Sequence, residues 1–124
     1  MAEALEPGLY IVATPIGNLG DLSPRAAQIL STVDLIAVED SRVTAKLLHH
    51  IGIKQPMLPY HDHNADKVRP GLVARMASEA IALVSDAGTP LISDPGYKLV
   101  RDAREAGRHI VTIPGPSAVI AALT

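Results

Sequence analysis

Cysteine, phenylalanine and tryptophan are all missing from the 124 residues, and tyrosine occurs only three times, at Tyr10, Tyr60 and Tyr97. Without cysteine there is no disulfide framework, no thiolate zinc site and no cysteine nucleophile, a lack as compatible with export as with a reducing compartment. Without large aromatics the core has to be filled by Ile, Val, Leu and Ala, a palette that suits the buried strands of a parallel sheet. No apolar run approaches the roughly 20 residues needed to cross a bilayer, and Met1 to Pro7 has neither the positive region nor the apolar stretch of a signal peptide. The expectation is a cytoplasmic protein with no membrane contact. A formal charge of −2 with no run of like charges gives no global pull toward nucleic acid, so a basic surface for RNA would have to be local or lie outside this segment.

What is present is 48% apolar and 19% charged residues, the balance of one soluble globular domain. Apolar runs alternate with helical periodicity, which points to βαβ units: an α/β fold, a mostly parallel sheet of about five strands with helices on both faces. The strands read as Gly8 to Thr14, Leu35 to Glu39, Met57 to Tyr60, Ile81 to Ser85 and His109 to Pro114. Pro59 places the third at an edge. Between them, Pro24 to Thr32 is a helix capped by Ser23 with Pro24 at its first position, and Arg42 to Ile51 a helix capped by Ser41 and ended by Gly52. A further helix follows the polar loop Tyr60 to Asp66 and ends near Glu79, with Pro70 in its first turn or kinking it. Tyr97 to Ala106 is closed by Gly107. Ser117 caps a last helix that is still apolar at Thr124, which predicts a second domain beyond a single N-terminal domain over 1–124. There is no internal repeat and no linker.

Three glycine- and proline-rich segments follow strands: Thr14 to Leu22, Asp86 to Gly96 and Pro114 to Ser117. In an open parallel sheet ligands bind outside the carboxyl ends of strands, where glycine lets backbone approach closely and proline holds the loop in shape. One such loop is ordinary turn chemistry. Three at one edge, one of them long, predict a ligand site. The phosphate-binding patterns GxxxxGK[ST] and GxGxxG are absent, and no Lys or Arg lies in these loops before Arg25 and Lys98. A ligand without phosphates fits such walls better, and S-adenosylmethionine is one.

The ordered set PIGNLGDLS (Pro15 to Ser23), EDSR (Glu39 to Arg42), YHDHN (Tyr60 to Asn64), VSDAGTPLISDPG (Val84 to Gly96) and IPGPSA (Ile113 to Ala118) resembles the tetrapyrrole methylase superfamily, and within it the RNA-type members. The resemblance runs from Gly8 onward. It implies a dimeric methyltransferase that binds S-adenosylmethionine in a cleft between two α/β domains, this segment being the first. The implied reaction is methylation of a cytidine ribose 2′-hydroxyl in small-subunit ribosomal RNA, within an assembled subunit. Carried over by position, the cofactor contacts are Ile16, then Ala87, Gly88, Thr89 and Ile92, then Ser117 and Ala118. Tetrapyrrole-type members carry Gly-Asp-Pro at Gly88, Thr89 and Pro90, a departure that argues against a porphyrin-type substrate. The RNA-type members usually read EDTR at Glu39 to Arg42, so Ser41 keeps the hydroxyl.

A base or hydrogen-bond acceptor would help methyl transfer to a ribose oxygen, and Asp40 and His61 are the candidates visible in this segment, the alternative being a base in the second domain. Arg42 could hold a phosphate or pair with Asp40, and His63 could contact the RNA by stacking or a hydrogen bond, the bland alternative being an exposed polar loop. His61, Asp62 and His63 do not make a metal site, because an extended loop would send His61 and His63 in opposite directions and no third ligand is spaced to join them. Two rivals remain open: an enzyme of the same family acting on a tetrapyrrole or protein side chain, and a nucleotide-binding α/β module without chemistry. This segment alone is expected to be inactive.

Overall fold

Strand and helix alternate throughout the residues that the structure, a computed structural model, describes: 5–13, 22–39, 41–85 and 94–113. In chain order they are β1 (Gly8–Ala13), α1 (Pro24–Thr32), β2 (Leu35–Val38), α2 (Ser41–His50), β3 (Met57–Pro59), α3 (Ala65–Arg75), β4 (Ala80–Ser85), α4 (Asp94–Glu105) and β5 (Ile110–Ile113). The strands form one sheet in the order β3-β2-β4-β1-β5, with every pairing parallel. The α/β architecture expected from the alternating pattern is therefore the one observed, and Pro59 sits on the edge strand, where its missing N–H costs no ladder bond.

Side chains alternate across the sheet, so each strand feeds two cores. On one face Tyr10, Val12, Ile36, Val38, Ala82 and Val84 pack with α1 and α2 through Ile29, Leu30, Leu47 and Leu48. On the other, Leu9, Ile11, Ala37, Ile81 and Leu83 pack with α3 and α4 through Leu72, Leu99 and Ala103. Each fully buried Leu, Ile or Val contributes roughly 1.5–3 kcal/mol relative to exposure, and aliphatic side chains fill both layers without Phe or Trp.

The helix limits follow local chemistry. The Ser23 hydroxyl accepts from the Ala26 N–H at 3.1 Å and Pro24 fills the first turn of α1, as the sequence predicts. α2 starts at Ser41 itself, so the expected Ser41 cap is instead the first helical residue. Both α2 and α4 close with paired bonds from the residues after them: Gly52 N–H to His49 and Ile53 N–H to Leu48, Gly107 N–H to Arg104 and Arg108 N–H to Ala103. Pro70 lies inside α3, past the first turn, where it removes the bond its N–H would have made to the Asp66 carbonyl. α4 begins at Asp94, three residues before the expected Tyr97. Asp94, Pro95 and Gly96 thus belong to a helix and not to the loop, because aspartate followed by proline is a helix-opening pair. The helix expected after Ser117 lies outside the described residues.

Candidate active site

Strand register decides which loops can meet. Val12 stands beside Val84 on one side and Ile113 on the other, and Ala13 beside Ser85, so β4, β1 and β5 reach their carboxyl ends level with one another. Segments 14–21 and 86–93 and the chain from 114 onward therefore leave from three adjacent strands at one edge. After β1 the chain crosses to α1 on one face, whereas after β4 it crosses to α4 on the other. The sheet divides there, between β1 and β4, and an open α/β sheet offers its ligand crevice at such a point. Ile16, Ala87, Gly88, Thr89, Ile92, Ser117 and Ala118 fall within these segments, and with Asp40 they lie outside the described residues.

The remaining candidates come from β2 and β3, which end at the same edge with Val38 beside Pro59. Glu39 is half-buried just past β2, and Arg42 is exposed on the first turn of α2. Past β3, residues 61–64 form a turn and not the extended loop expected from sequence. Asn64 builds it: its Oδ1 accepts from the His61 N–H at 2.9 Å and its Nδ2 donates to the Pro59 carbonyl at 2.8 Å. The His61 carbonyl then accepts from Ala65 N–H at 2.8 Å, at the start of α3.

As a result His61 and His63 do not point apart. Their rings meet edge to face with centroids 5.7 Å apart, and the His63 N–H donates to His61 Nδ1 at 3.2 Å. With Nδ1 accepting, the neutral ring carries its proton on Nε2, which is then a donor. Among the described residues no three His, Asp or Glu side chains gather as metal ligands.

Sequence reasoning missed the polar cluster directly behind this turn. Tyr60 is fully buried and donates to the Pro95 carbonyl at 2.5 Å. Arg69, on α3, directs Nη1 to the Tyr60 oxygen at 3.4 Å, Nε to Asp102 Oδ2 at 3.0 Å and Nη2 to Asp66 Oδ1 at 2.5 Å. Burial pushes the Tyr60 phenol above its ordinary 10.0, the hydrogen bond from Arg69 opposing it. The Arg69 guanidinium is held further toward its charged form, first by its bond to Tyr60 and then by Asp66, whose own carboxyl is lowered by Arg69. The signal in the sequence was a tyrosine ending a strand in a chain almost without aromatics, and an arginine on the inward side of α3 between Ala65 and Leu72.

Parallel strands with helices on two faces, and connections that leave β1 and β4 for opposite faces, define a doubly wound α/β domain. The chain belongs to the Tetrapyrrole (Corrin/Porphyrin) Methylases, whose family model matches residues 8–124. It is 61% identical over 120 residues to the "Ribosomal RNA small subunit methyltransferase I" of Xylella fastidiosa (strain Temecula1 / ATCC 700964), covering 95% of this chain and 44% of that protein. Against the protein of the same name from Escherichia coli O157:H7 it is 56% identical over 117 residues, covering 94% and 41%. The chain thus spans well under half the length of these relatives. Among solved structures, a cobalt precorrin-4 methyltransferase superposes with a TM-score of 0.71 at 20% identity, covering 92% of this chain and 48% of that one. A uroporphyrin-III-C-methyltransferase from Thermus thermophilus gives 0.68 at 19% identity, covering 90% and 48%. At such identities these structures share the fold.

Proposed function

We propose that this chain forms one wall of the active site of an S-adenosylmethionine-dependent methyltransferase that modifies the ribose 2′-hydroxyl of a cytidine in small-subunit ribosomal RNA. The observation that carries the reading is the level ending of β4, β1 and β5, which sends three glycine- and proline-rich segments out side by side. The identity of 56–61% to proteins named for ribosomal RNA methylation supports the substrate class. Residues 14–21 and 86–93 contain no Lys or Arg, which suits an adenosyl ligand without phosphates better than a nucleotide.

In this reading Ile16, Ala87, Gly88, Thr89, Ile92, Ser117 and Ala118 hold the cofactor, which supplies an activated methyl group on a sulfonium. The protein's main task is alignment, holding the 2′-oxygen opposite the leaving sulfur at contact distance. An oxygen–carbon bond forms as the carbon–sulfur bond breaks, and the hydroxyl proton passes to a base, for which Asp40 is placed by sequence at the end of β2. His61 offers its Nε2 toward the ribose or its phosphate, and Arg42 and His63 flank it on the RNA side. A second domain supplies the opposite wall, the full-length protein works as a cytoplasmic homodimer, and its substrate is the assembled small subunit.

The test uses full-length protein. Calorimetry should detect S-adenosylmethionine and S-adenosylhomocysteine and no ATP; binding of ATP alone would end the methyltransferase reading. Labelled cofactor should mark small ribosomal subunits in preference to naked RNA. Label found only in tetrapyrrole precursors would overturn the RNA assignment.

A further inference from the structure

The chemistry above leaves Tyr60 and Arg69 without a task, although among the described residues they are a hydrogen-bonded polar pair only 0% and 9% exposed, set in an otherwise apolar layer. A tyrosine hydroxyl has one proton and can still accept. Here the proton goes to Pro95 O and the oxygen receives Arg69 Nη1, so both capacities are used. Arg69 directs two further donors, Nη2 to Asp66 within α3 and Nε to Asp102 on α4. One cluster thereby ties the end of β3, the middle of α3 and both the first turn and the middle of α4. Apolar side chains of similar volume would hold α3 against α4 without the cost of desolvating a guanidinium, so adhesion alone does not account for the cluster. Directional bonds do something apolar packing does not, which is to fix where an atom sits.

The atom fixed is the carbonyl of Pro95, second residue of α4, immediately after segment 86–93. The residue that follows Tyr60 is His61, the start of the Asn64-built turn. We propose that Tyr60 and Arg69 are positioning residues that fix the first turn of α4, the helix that follows the proposed cofactor segment in sequence, against the turn bearing His61 and His63. The cofactor half of this statement rests on the proposed function.

The experiment compares full-length Tyr60→Phe and Arg69→Met with Tyr10→Phe. Tyr10 is a suitable control because it is another buried tyrosine whose hydroxyl bonds a carbonyl, that of Glu6 at 2.7 Å, on the stretch preceding β1 at the far edge. Hydrogen exchange without ligand and calorimetry with S-adenosylmethionine are the two readouts. Loss of one buried hydrogen bond corresponds to about tenfold. Tyr60→Phe should speed exchange across the first two turns of α4, 94–101, by about that factor and raise the S-adenosylmethionine Kd similarly, with kcat at saturation little changed. Tyr10→Phe should lower Tm comparably and move neither. Unchanged exchange across 94–101 in both Tyr60→Phe and Arg69→Met would overturn the positioning role. Faster exchange in a protein whose parent binds no adenosyl ligand would uphold it and overturn the cofactor assignment instead.

Discussion

The side chain of Asn64 reaches back to His61, its Oδ1 accepting the histidine's backbone N–H at 2.9 Å, although Asn64 itself stands at the N-cap of α3 and makes no side-chain bond to the helix. Its carboxamide therefore shapes the turn and leaves the helix end to other partners. Asn64→Ala removes this bond and the one to Pro59, each contributing about 0.5–1.5 kcal/mol. Denaturant melts should show a loss on the order of 1–2 kcal/mol. The KM for ribosomal substrate should rise while S-adenosylmethionine affinity stays near the parent value if the turn contacts RNA as proposed.

Gly8 opens β1 with φ of +151°, and a Cβ built there would lie 2.3 Å from the carbonyl oxygen of His109. That carbonyl accepts from Leu9 N–H at 2.8 Å, so neither group can retreat without opening the β1–β5 ladder. Gly8→Ala is expected to cost about 2–4 kcal/mol from strain and a broken pairing together, read as a lowered urea midpoint. A midpoint within error of the parent would show that the close approach relaxes freely.

Three side chains on the proposed RNA side should separate from the cofactor in kinetics. His61→Ala, His63→Ala and Arg42→Ala are expected to raise the KM for small subunits several-fold to about a hundredfold, the range of one or two hydrogen bonds to a charged group. S-adenosylhomocysteine binding should be unaffected. If His61→Ala abolishes kcat at saturating substrate while KM is unmoved, His61 acts in proton transfer and hydrogen bonding to RNA through Nε2 is not its main contribution.

Acid and alkali should each destabilise the protein through identifiable groups. The Asp66 and Glu79 carboxyls lie below their ordinary 3.8 and 4.5 because Arg69 and Arg75 bond to them. Their contribution is present above those ordinary values and is lost as pH falls through the lowered ones; both groups are solvent-exposed in part, so the acid loss is shallow. Burial raises the Tyr60 and Tyr10 phenols above 10.0, so their contribution is complete below that pH and is lost as pH rises through the raised values. Melting temperature should be flat across neutral pH, and Tyr60→Phe should have a gentler alkaline decline than the parent. Identical alkaline limbs would remove Tyr60 from this account.

The elements that sequence resolves best are those whose signals are local. Ser23, Pro24 and the apolar residues Ala26, Ile29 and Leu30 mark α1 at both ends without reference to the rest of the chain. At Asp94 to Gly96 the same kinds of residue mislead, since Asp-Pro-Gly reads as turn punctuation as readily as a helix start, and only the packing of Pro95 and Gly96 decides. α3 lacks a clean apolar face because one of its inward residues is Arg69, whose burial depends on Tyr60, Asp66 and Asp102. No window of neighbouring residues contains that set. The His61–His63 contact was hidden for a similar reason: the carboxamide of Asn64 converts an extended polar stretch into a turn. The strands themselves, in contrast, were legible, because short β-branched and aliphatic runs such as Ile81 to Ser85 carry the same meaning wherever they sit in the sheet.

The strand order has a consequence for how the chain acquires its shape. β1 pairs only with β4 and β5, and β2 reaches the centre of the sheet only through β4. While the first 79 residues emerge from a ribosome, the one strand pairing open to them among the described residues is β2 with β3, at the sheet's edge. Ala80–Ser85 then inserts between two strands made long before it and closes both ladders at once. Such long-range pairing makes folding slow and all-or-none. Nascent chains halted before Ser85 should be sensitive to protease, and those extended past Ile113 with an exit-tunnel spacer resistant, the level carboxyl ends of β4, β1 and β5 and the fold arriving in the same step.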